Sequence, residues 1–231
     1  MRQITSKQLR RRWRGFIARC APGKEGEAPF RRLDALYSQT DRHYHNWRHI
    51  LNCLRAFRPE RSRCHGPLAV EMAIWFHDAV YDPRRQDNES ESARLARRSG
   101  EGLGLPEAFL GEVEKLILQT DHSREPVLPS PGAAADDAGL LRDIDLAVLG
   151  SRRRRYAAYE KAIRREYAFL SEGEYRVGRV RFLAGLLARP FLYKTQRFRR
   201  RCERRARRNL NAELAGLGRL HQAPGGPAPG R

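Results

Sequence analysis

The chain has 231 residues and a net charge of +19, from 46 Lys/Arg against 27 Asp/Glu. Such a length can bury a sizeable core without disulfide staples and suits one domain with an extension. Four scattered cysteines, Cys20, Cys53, Cys64 and Cys202, form no CxxC pair, which argues against a zinc ribbon. No apolar run is long enough to span a bilayer and the N-terminus has no signal-peptide form. A cytoplasmic protein with reduced thiols and no membrane partner is therefore expected.

In chain order, Leu9, Trp13, Phe16, Ile17 and Cys20 form one stripe, which predicts an amphipathic helix over residues 5–20. Pro22-Gly23 opens a loop, and Phe30, Leu33, Leu36 and Tyr37 mark a second helix. Trp47, Ile50, Leu51, Leu54 and Phe57 repeat at helical spacing over 46–57. If His45 and His49 are both helical, they lie one turn apart on one face. Pro67 suits a first helical turn, and residues 68–80 are nearly all apolar, as in a central buried helix. That helix carries His77-Asp78, polar groups that are costly there unless paired or metal-bound.

Asp82-Pro83 breaks this helix, and Asp87-Asn88 caps another. Pro106 starts the next, which ends near Thr120-Asp121-His122, and residues 123–135 read as a loop. Asp136-Asp137 should cap a helix through Val148 that Gly150 stops. Further helices are expected over 152–170, 174–188 and 195–216, with 221–231 disordered. No alternating strand pattern stands out. The expected fold class is all-α: a compact multi-helix bundle over 1–220, with the metal residues inside 44–146 and a basic helical extension over 151–216.

Charge is placed unevenly. Residues 151–208 hold 20 Lys/Arg against 5 Asp/Glu, whereas 1–150 are close to neutral. The run reads either as a solvated helix face or as a surface for anionic partners.

The chemistry gathers in three segments: Tyr44-His45-Asn46-Trp47-Arg48-His49, Phe76-His77-Asp78, and Asp143-Ile144-Asp145-Leu146. Imidazoles and carboxylates in apolar settings suit a divalent metal (Zn, Mn, Fe, Mg, Co or Ni). Four protein ligands would leave positions open for water.

These residues resemble the HD-domain superfamily of metal-dependent phosphohydrolases. The likeness lies in YHNWRHI, FHDAVYD followed by DNESESA, ILQTDH, DIDLAVLG, YRVGRVRFL, RPFLYKT and ARRNLNAEL, which run from residue 44 to 214. It is closest to a bacterial subgroup of predicted HD phosphohydrolases, and YHNWRH also resembles the entry motif of class I cyclic-nucleotide phosphodiesterases. The resemblance implies His49, His77, Asp78 and Asp145 as metal ligands, with Asp145 favoured over Asp143. It also implies His45 as the acid that protonates the leaving oxygen, with Asp78 orienting or deprotonating water. Where phosphodiesterases have the last His of HDxxH, this chain has Tyr81, which departs from a two-metal site.

Weaker candidates surround this set. His122 is a further ligand or phosphate contact, and Glu89 a second-metal or supporting acid. Asp82 and Asp143 support from behind, and Tyr44 and Asn46 shape the pocket. Arg179, Arg181 and Lys194 are possible phosphate clamps. The expected activity is hydrolysis of a phosphoester or phosphoanhydride of a nucleotide or other small phosphorylated metabolite. The alternative is a nucleic-acid-binding or nucleic-acid-cleaving protein that uses the arginines of 197–208. A silent helical partner protein is the third reading.

Overall fold

The computed structural model describes residues 6–122 and 133–219. All regular structure among them is helical, as the periodicity predicts. The order is α1 (Ser6–Cys20), α2 (Glu27–Tyr37), α3 (Trp47–Phe57), α4 (Pro67–Phe76), α5 (Asn88–Gly102), α6 (Glu107–Leu118), α7 (Ala133–Asp145), α8 (Arg153–Glu166) and α9 (Glu172–Ala188). Then α10 (Gln196–Phe198), a π-helical stretch (Arg199–Glu203) and α11 (Arg204–Arg219) follow without a break. The expected disordered tail and most of the expected 123–135 loop lie outside the described residues. No helix among the described residues is long and apolar enough to cross a membrane.

Helix α4 is the centre. Every residue from Ala69 to Phe76 is buried, and α1, α3, α5, α6 and α7 all pack on it. A helix apolar all round can satisfy its surface only by such enclosure. Helices α5 and α6 pack together at Gly100, where a Cβ would collide with the Leu110 side chain.

Several boundaries differ from the periodic pattern, the first two for a tertiary reason and the others for a local one. Helix α4 stops at Phe76 rather than running to Val80. The buried Arg42 guanidinium takes the carbonyls of Asp78 (2.6 Å) and Ala79 (2.8 Å), so the chain turns there. Helix α7 begins at Ala133, so Asp137 is not its cap. The Asp137 carboxylate instead accepts the His65 and Gly66 amides (3.1 and 2.7 Å), at the start of α4. Helix α8 ends at Glu166, with Arg164 holding the carbonyls of Tyr167 and Leu170. A capping box between Ser171 and Glu174 then starts α9 two residues before the expected Glu174.

Much of the basic segment is engaged in holding the fold. Arg179 and Glu213 form a buried pair at 2.7 Å, Arg197 reaches Glu60 at 2.7 Å, and Arg207 reaches Glu203 at 2.7 Å. Arg205 donates to the Gly150 carbonyl.

Candidate metal centre

His49 sits in the first turn of α3, which starts at Trp47 with the Asn46 side chain accepting the Arg48 amide. His45 therefore precedes the helix and is not stacked one turn below His49. His77 and Asp78 occupy the turn that Arg42 imposes after α4, and Asp145 ends α7. Three helix ends thus point their polar groups at one place.

The atoms converge closely. His49 Nε2 lies 3.1 Å from each of His77 Nε2, Asp78 Oδ2 and Asp145 Oδ1. His77 Nε2 is 3.2 Å from Asp78 Oδ2 and 3.6 Å from Asp145 Oδ1. An ion about 2.1 Å from each of four atoms requires them to be about 3.0–3.4 Å apart, so the spacing suits one. Cys53, four residues after His49 on α3, brings its Sγ to 3.6 Å from His49 Nε2. His49, Cys53, His77 and Asp145 form a largely buried group that could hold a metal ion, their ligand atoms all within 4.8 Å of one another.

Electrostatics support a cation here. Burial opposes charge on His77, but Asp78 and Asp145 outweigh it and hold the imidazole well above its ordinary range. Burial also opposes charge on Asp78, yet His77, His45 and His49 keep its carboxyl well below the usual range. Two protonated imidazoles cannot share a 3.1 Å Nε2–Nε2 contact, because their protons would collide. Asp78 Oδ2 is buried and accepts no hydrogen bond among the described residues. A divalent cation would satisfy all these lone pairs together. His77 Nδ1 lies 3.1 Å from the Ile74 carbonyl, to which it must donate, and this leaves Nε2 as the free lone pair.

Beside this centre lies a cavity of about 740 Å³. Asp78, Glu89, Asp121, His122 and Asp145 line its polar side, and Tyr159, Ile163, Tyr167, Leu170, Tyr175 and Phe182 its largely apolar wall. His45 lines it too. Its Nδ1 is 2.7 Å from Glu166 Oε2, while Glu166 Oε1 accepts the amides of Tyr44 (2.6 Å) and His45 (2.9 Å). Burial raises the Glu166 carboxyl, but His45 and the two amides hold it below its ordinary value. The carboxylate therefore accepts a hydrogen bond from Nδ1–H, which leaves Nε2 for a ligand in the cavity. Tyr81 stacks on the His45 ring at 3.9 Å between centroids.

The weaker candidates separate by place. His122 Nε2 sits 2.6 Å from Asp145 Oδ2, so it braces that carboxylate from the side away from His49. Burial lowers its pKa. Glu89 lines the cavity, and burial with the nearby Asp121 and Asp78 raises its carboxyl. Tyr44 packs against His45, His49 and Tyr159 in the same cavity. Asn46 caps α3. Asp82 accepts the Arg84 amide in the loop and does not line the cavity. Arg179 lines it, but its guanidinium is engaged by Glu213 and the Tyr159 hydroxyl. Arg181 is exposed and Lys194 lies against Gly139, neither of them on the cavity.

Asp143 faces away from the centre. It is fully buried and accepts the Lys194 amide (2.6 Å), the Thr195 amide (2.7 Å) and the Thr195 hydroxyl (2.6 Å). Its task is to join α7 to the start of α10. Asp143→Ala is expected to lower stability by about 2–4 kcal/mol, since three part-buried donors lose their acceptor. Urea unfolding measures the loss, and unchanged metal content separates it from a role at the centre.

Glu166, Arg42 and Cys53 are the residues around this centre that sequence reasoning missed. Glu166 follows two arginines and reads as a surface ion pair. Arg42 is one arginine among many. Cys53 carried a signal in its four-residue spacing from His49, hidden because it continues an apolar stripe. No protein-family model matches the chain, and no curated protein matches it in sequence.

Proposed function

We propose that this protein is a metal-dependent phosphohydrolase that cleaves a phosphoester or phosphoanhydride of a nucleotide or another small phosphorylated metabolite. One observation carries the reading: His49, His77, Asp78 and Asp145 converge, and the two carboxylates of that set line one cavity together with a histidine backed by a buried carboxylate. The motifs that resemble HD-domain phosphohydrolases support it, with a cytoplasmic location that suits the four free cysteines.

His49, His77, Asp78 and Asp145 would hold the ion. Asp78 is preferred to Cys53 because its buried Oδ2 lies nearer both imidazoles and has no other partner. A divalent ion held there would supply Lewis acidity at a phosphoryl oxygen and would lower the pKa of a bound water. Asp78, which lines the cavity, would orient the attacking water and take its proton as the water oxygen–phosphorus bond forms. His45 Nε2 delivers a proton to the leaving oxygen as its bond to phosphorus breaks, while Glu166 holds Nδ1. The apolar wall from α8 and α9 receives the rest of the substrate. The engagement of Arg197, Arg205 and Arg207 within the fold favours this small substrate over nucleic acid.

Metal analysis and phosphate release by wild type, Asp78→Asn and Cys53→Ala test the assignment. Asp78→Asn is expected to lose metal and turnover, and Cys53→Ala to keep both. An Asp78→Asn protein with full metal content and activity sinks it, as does a wild type that rejects Mn, Fe, Zn, Mg, Co and Ni.

A further inference from the structure

A second concave site, against α1, α3 and α4, shares no lining residue with the cavity. It is a cleft of about 330 Å³. Arg11, Arg12 and Arg19 reach it from α1, Arg58 from the end of α3, and Arg61 from the short turn that follows; Glu71 of α4 sits among them. Leu54, Phe57 and Trp75 form its apolar floor. Five arginines against one glutamate leave four net positive charges in a small space.

Glu71 orders this group rather than cancelling it. It is buried, takes Arg19 through both oxygens at 2.6 and 2.8 Å, and lies 3.3 Å from Arg61. Two guanidiniums are thereby fixed in place. Arg11, Arg12 and Arg58 have no acidic partner among the described residues and are exposed at the rim. Three unmatched guanidiniums, set around a concave floor, suit an anion that carries more than one charge on adjacent oxygens. A low-dielectric floor strengthens that attraction relative to open solvent.

We propose that this cleft binds a small oligophosphate, a di- or triphosphate group, as a site separate from the metal cavity. Shape separates this ligand from a nucleic-acid strand. The arginines come from three chain segments and converge on one cleft of small-ligand size, whereas a strand requires a row of charges along an open track. The floor also offers an apolar rest for whatever group the phosphates carry. The cleft and the metal centre share two helices: Glu71 precedes His77 by six residues, about 9 Å along α4 at 1.5 Å per residue.

Calorimetric titration of the full chain with inorganic pyrophosphate at physiological salt tests the proposal. Arg12→Ala and Arg58→Ala are each expected to weaken binding about tenfold, because each removes a charge-assisted contact. Arg58→Lys should recover part of the loss. Asp145→Asn, in the cavity, and Arg181→Ala, an exposed arginine elsewhere, should leave this binding within about twofold of wild type. Loss of pyrophosphate binding in Asp145→Asn alone would place the anion in the cavity and overturn the proposal. So would equal losses in Arg58→Ala and Arg181→Ala together with tighter binding of a 20-nucleotide strand, since that outcome describes a diffuse basic surface. Both cleft residues are exposed, so their truncation leaves the core intact, and unchanged thermal unfolding checks this.

Discussion

Asp145→Ala protein is expected to purify with its helices intact, without bound metal, and with turnover reduced by about three orders of magnitude. The ion's stabilisation of developing charge is worth several kcal/mol, and each 1.36 kcal/mol is a factor of ten. Asp145 is the point where two contacts meet: Oδ1 faces His49 at 3.1 Å and Oδ2 faces His122 at 2.6 Å. Removal therefore takes away a ligand and also frees the imidazole that braces it. His122→Ala, by comparison, should keep the ligand and lose metal affinity by about 10- to 100-fold, the usual scale for a partner behind a ligand. Elemental analysis, circular dichroism and phosphate release read the three quantities separately. Full metal content in the Asp145→Ala protein would refute the ligand assignment.

Glu166→Gln should leave metal content unchanged and lower kcat by about 10²- to 10⁴-fold, the range over which a positioned acid acts. In the wild type one carboxylate oxygen holds two amides and the other holds His45 Nδ1. A glutamine oxygen can keep the amides only by turning its NH₂ toward Nδ1. The imidazole then has no carboxylate to balance the charged form that donates the proton. A substrate with a p-nitrophenyl leaving group needs no such proton, so the loss there should be far smaller than with an alkyl ester. An equal loss on both substrates would indicate damage to the loop rather than to proton delivery.

The same residue predicts a pH effect on folding. The Glu166 carboxyl lies below its ordinary value of 4.5 in the folded chain, chiefly because His45 outweighs burial. Its contribution to stability is then complete above about pH 4.5 and is lost as pH falls through the lower folded value. The Gln variant should show less acid sensitivity in that window, as unfolding midpoints at pH 3 to 7 would record.

Much of the architecture was legible in local patterns. The enclosure of α4 follows from a run that is apolar apart from Glu71, and its polar end at His77-Asp78 stood out because such groups are costly in a core. Asp145 was visible for the same reason, as an acid in an apolar setting, and His49 by its four-residue spacing from His45. Cys53 was not, because a cysteine on an apolar stripe is ordinary packing. Asp143 and Asp145 flank Ile144 and are alike in local pattern, and only the family resemblance favoured Asp145. The two face opposite ways: one takes the amides of Lys194 and Thr195, the other the imidazoles.

The amino-acid sequence by itself determined the helical class, the buried central helix and the short list of groups able to bind a cation. Each of these is written in a window of a few residues, through periodicity, proline and the cost of burying charge. Only the tertiary structure decided where α4 ends, which acid backs His45 and what the arginines do. Those outcomes join residues 37, 121 and 137 positions apart, as in Arg42 with Ala79, His45 with Glu166 and Arg197 with Glu60. A buried charge takes whichever partner the packed helices bring within about 3 Å, and no local pattern encodes that meeting.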